Sequence, residues 1–187
     1  MSSYPNSKEF NNINDWENQP TSSDSGLQRF ALRLKTNMGR DTLIQKQIDQ
    51  LRTQLQCDRV ILYYFYNQWK GQVTFESLSQ AIFSIYGSTG ADDCFNQEYA
   101  QLYQQGRISA ITDIETAPIH PCHQNFLRSI YVRANLVVPV IVGNKLWALL
   151  IAHHCRFPHL WSPAEFESMK TASETLSTAP EILNSNG

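Results

Sequence analysis

Three absences exclude broad classes of protein for this chain of 187 residues. It has no run of about 18 apolar residues, so a transmembrane helix is excluded. Its N-terminus, MSSYPNSKEF, lacks the apolar stretch of a secretory signal. It also lacks an excess of positive charge, since 15 Lys and Arg against 17 Asp and Glu give a net charge of −2. Because phosphate binding needs concentrated positive charge, we expect a cytoplasmic protein with no membrane or nucleic-acid partner.

Cysteine is sparse, and its spacing carries little information. The four residues Cys57, Cys94, Cys122 and Cys155 form no C-x2-C pair. In a chain without a secretory signal, this spacing favours free thiols over a disulfide framework. Free thiols are usually inert core residues, so a functional cysteine must be identified from its neighbours.

The two ends of the chain differ in composition from its centre. Residues 1–26 are rich in Ser, Asn and Asp and poor in apolar residues, and residues 180–187 are similar. Such segments bury too little surface to offset the entropy lost on ordering. We therefore predict a disordered leader at 1–26, one domain at 27–179 and a flexible tail at 180–187.

Apolar spacing predicts the helices and strands of this domain. A first helix at 27–38 ends at Gly39, a natural C-cap, and a second begins after Asp41. The last helix opens at Ser162-Pro163-Ala164-Glu165, a capping box with proline at its first position. The other predicted elements are strands at 60–66, 72–79, 108–111, 135–142 and 145–154, and helices at 95–105 and 123–133. The predicted class is α+β, a central antiparallel β-sheet flanked by helices on both faces.

Nucleophilic and polar side chains are densest at His120-Pro121-Cys122-His123, a loop that leads into a predicted helix. The helix dipole favours the thiolate of a cysteine at a helix N-terminus, and His123 can exchange the thiol proton. This arrangement is typical of a nucleophilic cysteine. The alternative is an exposed loop cysteine without a role, and the dipeptide alone favours that alternative.

Two further clusters have structural explanations as well as functional ones. His153-His154-Cys155 ends an apolar strand, where alternation turns only one of the two histidines inward. That histidine could be a core residue satisfied by the backbone. A zinc site is the alternative, but the histidines and cysteines do not repeat the spacings of zinc ligands, so no metal site is predicted. Asp92-Asp93-Cys94-Phe95 by itself indicates a helix N-cap followed by core residues.

These clusters occur together, in an order that resembles one known family. Asp92-x-Cys94-Phe95 is followed by Cys122-His123, then by ANLVVP at 134–139 and LWALLIAH at 146–153. The series resembles the bilin-binding GAF domain of cyanobacteriochromes, in the subfamily named for its Asp-x-Cys-Phe motif. The resemblance covers residues 27–179. It implies a GAF fold and a linear tetrapyrrole (bilin) as cofactor, either phycocyanobilin or phycoviolobilin.

The resemblance also implies roles for matching residues. Cys122 matches the cysteine that forms a permanent thioether to ring A of the bilin. Cys94 matches a second cysteine, which adds reversibly to the central methine carbon. Asp92 matches the carboxylate that accepts hydrogen bonds from the pyrrole N–H groups, and His123 matches the histidine that packs on the bilin.

The contacts to the bilin propionates are implied less completely. His153 matches a strand histidine near the propionates or ring D, and Tyr103 matches a tyrosine that reaches a propionate. Leu102 stands where many relatives carry an arginine that pairs with a propionate. Arg107 or Arg133 could take its place, or that propionate could face solvent.

The function implied by the resemblance is that of a photoreceptor module. It would convert between a blue-absorbing and a longer-wavelength state by Z/E isomerisation, with reversible addition of Cys94. An enzyme using Cys122 and His123 ranks last, because it leaves the Asp-x-Cys-Phe motif unexplained and has no evident oxyanion site, so we expect no catalysis beyond autocatalytic bilin attachment. The alternative is a chromophore-free GAF domain that binds a small ligand or dimerises, and a homodimer would pair the terminal helices.

Overall fold

The computed structural model of the chain describes residues 22–67, 70–90 and 97–184. It separates into two units, Met1–Lys35 and Thr36–Gly187, and the described part of the first is helical. The elements are α1 (Ser22–Leu55), β1 (Arg59–Asn67), β2 (Lys70–Leu78), a 3-10 turn (Ala81–Phe83), α2 (Gln97–Gln104), β3 (Ser109–Ile111), α3 (Pro121–Ser129), β4 (Ala134–Val142), β5 (Lys145–His154), α4 (Pro163–Thr178) and α5 (Pro180–Leu183). Within the described ranges, no helix is long and apolar enough to span a membrane.

The five strands form one antiparallel sheet in the order β2-β1-β5-β4-β3. The β4–β5 hairpin turns at Gly143 and Asn144, whose φ angles of 52° and 66° are both positive. A two-residue turn of this kind suits the right-handed twist of the flanking strands. Strand β5 lies at the centre of the sheet, which explains why its side chains are almost all buried.

One face of the sheet carries the main hydrophobic core. The part of α1 in the second unit contributes apolar side chains at helical spacing, Ile44, Ile48, Leu51 and Leu55. Helix α4 packs on β4, and the Ser173 hydroxyl donates a hydrogen bond of 2.6 Å to the Pro139 carbonyl. The predicted capping box of α4 is present, since Ser162 and Glu165 bond reciprocally. This face is therefore closed by α1, α4 and α5.

The other face of the sheet is covered less completely. Tyr103 of α2 packs with Val137, Leu146 and Leu149 of the central hairpin. A separate cluster, formed around Leu127 of α3, includes Ile111 and Ile114. Helices thus lie on both faces of an antiparallel sheet, and the predicted α+β class is confirmed.

The prediction of two N-terminal helices separated near Gly39 is wrong, because α1 continues without a break from Ser22 to Leu55. Gly39 is not in the left-handed region that a glycine C-cap adopts. A glycine inside a helix costs about 1 kcal/mol relative to alanine. Ending one helix and nucleating another would forfeit several backbone hydrogen bonds, so the continuous helix is favoured.

The predicted flexible tail is also wrong for residues 180–183. These residues form α5, and its Ile182 is fully buried in the main core. Pro180 occupies the first turn, where its missing N–H costs nothing. The predicted leader is likewise helical from Ser22 onward, while residues 1–21 lie outside the described part of the chain.

Candidate ligand pocket

A cavity of about 550 Å³ lies on the less covered face of the sheet. Strand alternation explains its lining, because Ile61 and Tyr63 of β1 face it together with Leu149, Ile151 and His153 of β5. Helix α3 and the segment before it supply Ile119, His120, His123 and Phe126. The volume is within the range of small-molecule sites, and the walls are mostly apolar with a few polar groups, as such sites require.

The predicted nucleophile lies at the start of α3. His120 is the N-cap residue, and its Nδ1 accepts a hydrogen bond of 3.2 Å from the Cys122 backbone N–H. Pro121 begins the helix, which leaves Cys122 in the first turn, where the helix dipole favours a thiolate. His120 and His123, on either side of Cys122 in the sequence, both line the cavity.

The other described cysteines are poorly suited to attack a ligand. Burial raises the pKa of Cys57 to about 12 and that of Cys155 to about 11. Both are free thiols, and at these pKa values almost none of either is thiolate at neutral pH. Because a thiolate is the reactive species, neither residue is a candidate nucleophile, whereas Cys122 lies at a helix N-terminus that favours the thiolate.

His153 of β5 lines the cavity and accepts a hydrogen bond from Arg59. The Arg59 Nε–H donates a hydrogen bond of 3.0 Å to His153 Nδ1, across the register pair that joins β1 to β5. Since Nδ1 accepts, the ring proton of neutral His153 is on Nε2. Arg59 was not predicted as a site residue, although a charged residue directly before an apolar strand was an available signal.

Arg59 is fully buried, and its three hydrogen bonds connect separate parts of the fold. Beyond His153, it donates to the Phe83 carbonyl at 2.5 Å and to the Ile130 carbonyl at 3.0 Å. Arg59 thereby joins β1 and β5 to the 3-10 turn and to the end of α3. It is a positioning residue for the pocket wall.

We expect Arg59→Met to lower the free energy of unfolding by about 3 kcal/mol, because the substitution leaves two buried acceptors and one partly buried acceptor unsatisfied. Urea denaturation measures this loss. Arg128→Met is the matched control, since Arg128 is exposed and pairs with the exposed Glu115, and surface pairs contribute at most about 1 kcal/mol. An equal loss in the two variants would contradict the role given to Arg59.

Buried histidines make the stability of the fold depend on pH. Burial, with a smaller effect of Arg59, holds the pKa of His153 well below its usual value, and burial lowers that of His123. Folded His153 therefore stays neutral, whereas unfolded His153 takes up a proton as the pH falls through about 6.5. Stability must consequently decrease on acidification below that pH.

For His153 alone we expect a loss of about 1.4 kcal/mol in the free energy of unfolding between pH 7.5 and pH 5.5. Urea denaturation at the two pH values, in wild type and in His153→Gln, measures this contribution. The glutamine can still accept a hydrogen bond from Arg59 but does not titrate. The prediction fails if both proteins lose the same stability.

Tyr103 and Asn135 add polar groups to the cavity. The buried Tyr103 of α2 lines it, and its predicted contact with a propionate stays a prediction. Asn135 of β4 also lines it, and within the described residues its buried Oδ1 has no hydrogen-bond partner. A buried acceptor without a partner is costly, so Asn135 indicates a ligand that donates a hydrogen bond. Asn135 belongs to the ANLVVP segment at 134–139, but no role was predicted for it.

The two candidate arginines are in different environments. Arg107 lines the cavity and is exposed. Arg133 instead forms a bidentate ion pair with Asp113, at 2.7 and 2.9 Å. That pair holds the pKa of Asp113 below its usual value. Arg107 is therefore the better placed cation for an anionic ligand group.

Two predicted site residues, Asp92 and Cys94, lie outside the described residues. The described chain reaches that segment from the cavity wall, because Ser88, Thr89 and Gly90 all line the cavity. It resumes in α2, which carries Tyr103. Both ends of the segment thus belong to elements that form the pocket.

Comparison with known sequences identifies relatives of the chain. A family model described as GAF domain matches residues 39–179. An uncharacterized protein of Picosynechococcus sp. is 54% identical over 161 residues, which are 86% of this chain and 99% of that protein. A putative methyl-accepting chemotaxis protein of Synechocystis sp. is 36% identical over 141 residues, which are 75% of this chain and 14% of that protein.

Solved structures share the fold over most of the chain. The blue-light absorbing form of the PixJ GAF domain from Thermosynechococcus elongatus aligns with a TM-score of 0.69 at 36% identity, covering 77% of this chain and 88% of that one. The phycocyanobilin-bound GAF domain from a cyanobacterial phytochrome aligns with a TM-score of 0.71 at 26% identity, covering 87% and 94%.

Proposed function

Because this chain belongs to the GAF domain family, we propose that its cavity holds a bilin and that the domain is a photosensory module. The observation that carries the proposal is the cavity of about 550 Å³ between His153 on β5 and the Cys122–His123 start of α3. The solved PixJ structure, described as a blue-light absorbing form, and the phycocyanobilin-bound phytochrome domain support it.

The residues of the cavity fit the chemistry of a bilin, which combines a row of N–H donors with two propionates. The unpaired Oδ1 of Asn135 can accept a hydrogen bond from an N–H group. The Nε2–H of His153 can donate to an oxygen, and Arg107 can pair with a propionate. The apolar strand side chains and Phe126 can pack against a conjugated ring system.

Each residue matched by the resemblance has a place in this proposal. Cys122 attaches the bilin covalently, and His123 packs on it. Asp92 accepts the pyrrole N–H bonds, Cys94 makes the second and reversible bond, and Tyr103 reaches a propionate. The proposed subfamily is accordingly that of the Asp-x-Cys-Phe cyanobacteriochromes.

The bilin would supply light absorption and isomerisation of a double bond, so that the domain converts between a blue-absorbing and a longer-wavelength state. Phycocyanobilin or phycoviolobilin is the proposed cofactor. The protein would hold the bilin, exclude water and set its protonation. In this proposal the chain is not an enzyme, apart from autocatalytic attachment of its own cofactor.

Production of the chain together with phycocyanobilin, under reducing conditions, tests the proposal. We expect a covalent band that fluoresces with zinc on a denaturing gel, and an absorption spectrum that changes reversibly on blue illumination. A well-folded protein that takes up no pigment would support the alternative of a chromophore-free GAF domain.

Helix α1 supports a second proposal, a homodimer formed through the terminal helices. Three large apolar side chains of the first unit follow one another at spacings of three or four residues, which places them on one side of the helix. They are Leu27, Phe30 and Leu34, each about half or more exposed. Exposed apolar rows of this kind mark interaction surfaces, and molar mass from light scattering tests the homodimer.

A further inference from the structure

Three side chains that can each ligate a metal ion lie close together on the side of β5 away from the cavity. His153 faces the cavity, so its neighbour His154 faces the opposite side, where it packs against Trp161 of the main core. His159 lies in the segment between β5 and α4, and Glu165 lies in the first turn of α4. One ligand atom from each of His154, His159 and Glu165 lies within 4.8 Å of the other two.

His154 offers one ring nitrogen, Nε2, as a possible metal ligand. Its Nε2 is buried and has no hydrogen-bond partner among the described residues. An imidazole nitrogen that makes no hydrogen bond can ligate a metal ion through its lone pair.

Glu165 is oriented by the cap of its own helix. Its Oε2 accepts hydrogen bonds from the Ser162 backbone N–H at 2.7 Å and from the Ser162 hydroxyl at 2.8 Å. The other oxygen, Oε1, lies 2.7 Å from His159 Nε2. The capping box therefore serves as the outer support that orients a ligating carboxylate.

We propose that His154, His159 and Glu165 bind a divalent transition-metal ion, with Zn²⁺ as the best match. Two imidazoles and one carboxylate, with water in a fourth position, form a known zinc donor set. The site is open enough for water to enter, since the side chains of His159 and Glu165 are 29% and 16% exposed. This proposal is independent of bilin binding.

Binding requires a small local rearrangement. Two ligand atoms of a tetrahedral zinc site are about 3.3 Å apart. The His159 and Glu165 atoms must therefore separate slightly, and the nitrogen of His154 must approach them. The two imidazoles now stack with ring centroids 4.0 Å apart. Because His159 is partly exposed in a connecting segment, its side chain can rotate to complete the site.

The test uses the full chain produced without bilin, because tetrapyrroles themselves bind zinc. Zn²⁺ titration calorimetry and Co²⁺ absorption, in the presence of a phosphine reductant, give the affinity and the ligand type. We expect one site per chain without thiolate bands in the Co²⁺ spectrum. Saturation with Zn²⁺ at 100 times the dissociation constant should raise the melting temperature by about 5 °C.

Two variants remove one ligand each, and two controls address other metal-binding groups. His159→Ala and Glu165→Gln should each weaken Zn²⁺ binding by at least about tenfold. The glutamine preserves the capping box, so Glu165→Gln remains informative if another variant fails to fold. His120→Ala and Cys122→Ser should bind Zn²⁺ like wild type. Absence of saturable binding in wild type, or wild-type affinity in both ligand variants, would overturn the proposal.

Discussion

Cys122→Ala is expected to abolish covalent attachment of the bilin completely. Cys122 lies in the first turn of α3, and His120 and His123, which precede and follow it in the sequence, both line the cavity. Attachment adds the thiol across a double bond of ring A: sulfur bonds to one carbon, and the thiol proton goes to the other. No oxidant or leaving group is needed, so the reaction requires only a thiolate positioned next to ring A. The measurement is zinc-induced fluorescence of the denatured protein, produced under reducing conditions.

The matched control is Cys155→Ala, which removes a free thiol of the same chain. Burial raises the pKa of Cys155 to about 11, so it supplies almost no thiolate at neutral pH. We expect this variant to bind bilin like wild type. Full covalent yield in Cys122→Ala would contradict this assignment and would indicate Cys94 as the attachment site.

The sheet could be predicted from the sequence because its signals are local. Gly143-Asn144 fixes a two-residue turn, and the apolar runs on either side can only be central strands. The capping box at Ser162 likewise identifies the start of α4 by its own chemistry. These features do not depend on distant contacts, and all of them are present in the structure.

Features that depend on tertiary contacts were missed or wrongly predicted. Gly39 looks like a helix end in the sequence, because the sequence does not show how the residues after it pack on the sheet. Ile182 is buried because the main core accepts it, which the polar composition of residues 180–187 conceals. Arg59 and His153 are 94 residues apart in sequence, and only the β1–β5 register makes them neighbours.

The metal-binding cluster shows a signal that was present but not recognised. His154 and His159 are separated by four residues, which is within the usual H-x3-5-H spacing of zinc ligands. The third ligand, Glu165, already had a structural explanation as the capping-box residue. The role of Glu165 in the capping box concealed its second role as a candidate ligand.

The second functional cysteine of the proposal is tested through its effect on colour. Cys94 lies outside the described residues, but the chain on both sides of its segment belongs to elements that line the cavity. Gly87, with φ of 76°, adopts the left-handed conformation that glycine allows without strain. Gly90 accommodates a close approach to the Tyr63 hydroxyl, which accepts a hydrogen bond of 2.8 Å from its N–H.

Cys94→Ser should therefore retain the bilin but lose its violet-to-blue absorption band completely. A thiol bonded to the central methine carbon divides the conjugated system into two shorter halves, which absorb at short wavelength. Serine is nearly the same size as cysteine but is a much weaker nucleophile. The bilin therefore keeps its full conjugation, and both photostates absorb at longer wavelength.

Absorption spectra before and after illumination measure the loss of the short-wavelength band. Cys57→Ser is the control, because it removes a buried thiol on the face of the sheet opposite the cavity. A Cys94→Ser protein that still absorbs blue light in the dark would refute the two-cysteine mechanism while leaving attachment at Cys122 intact.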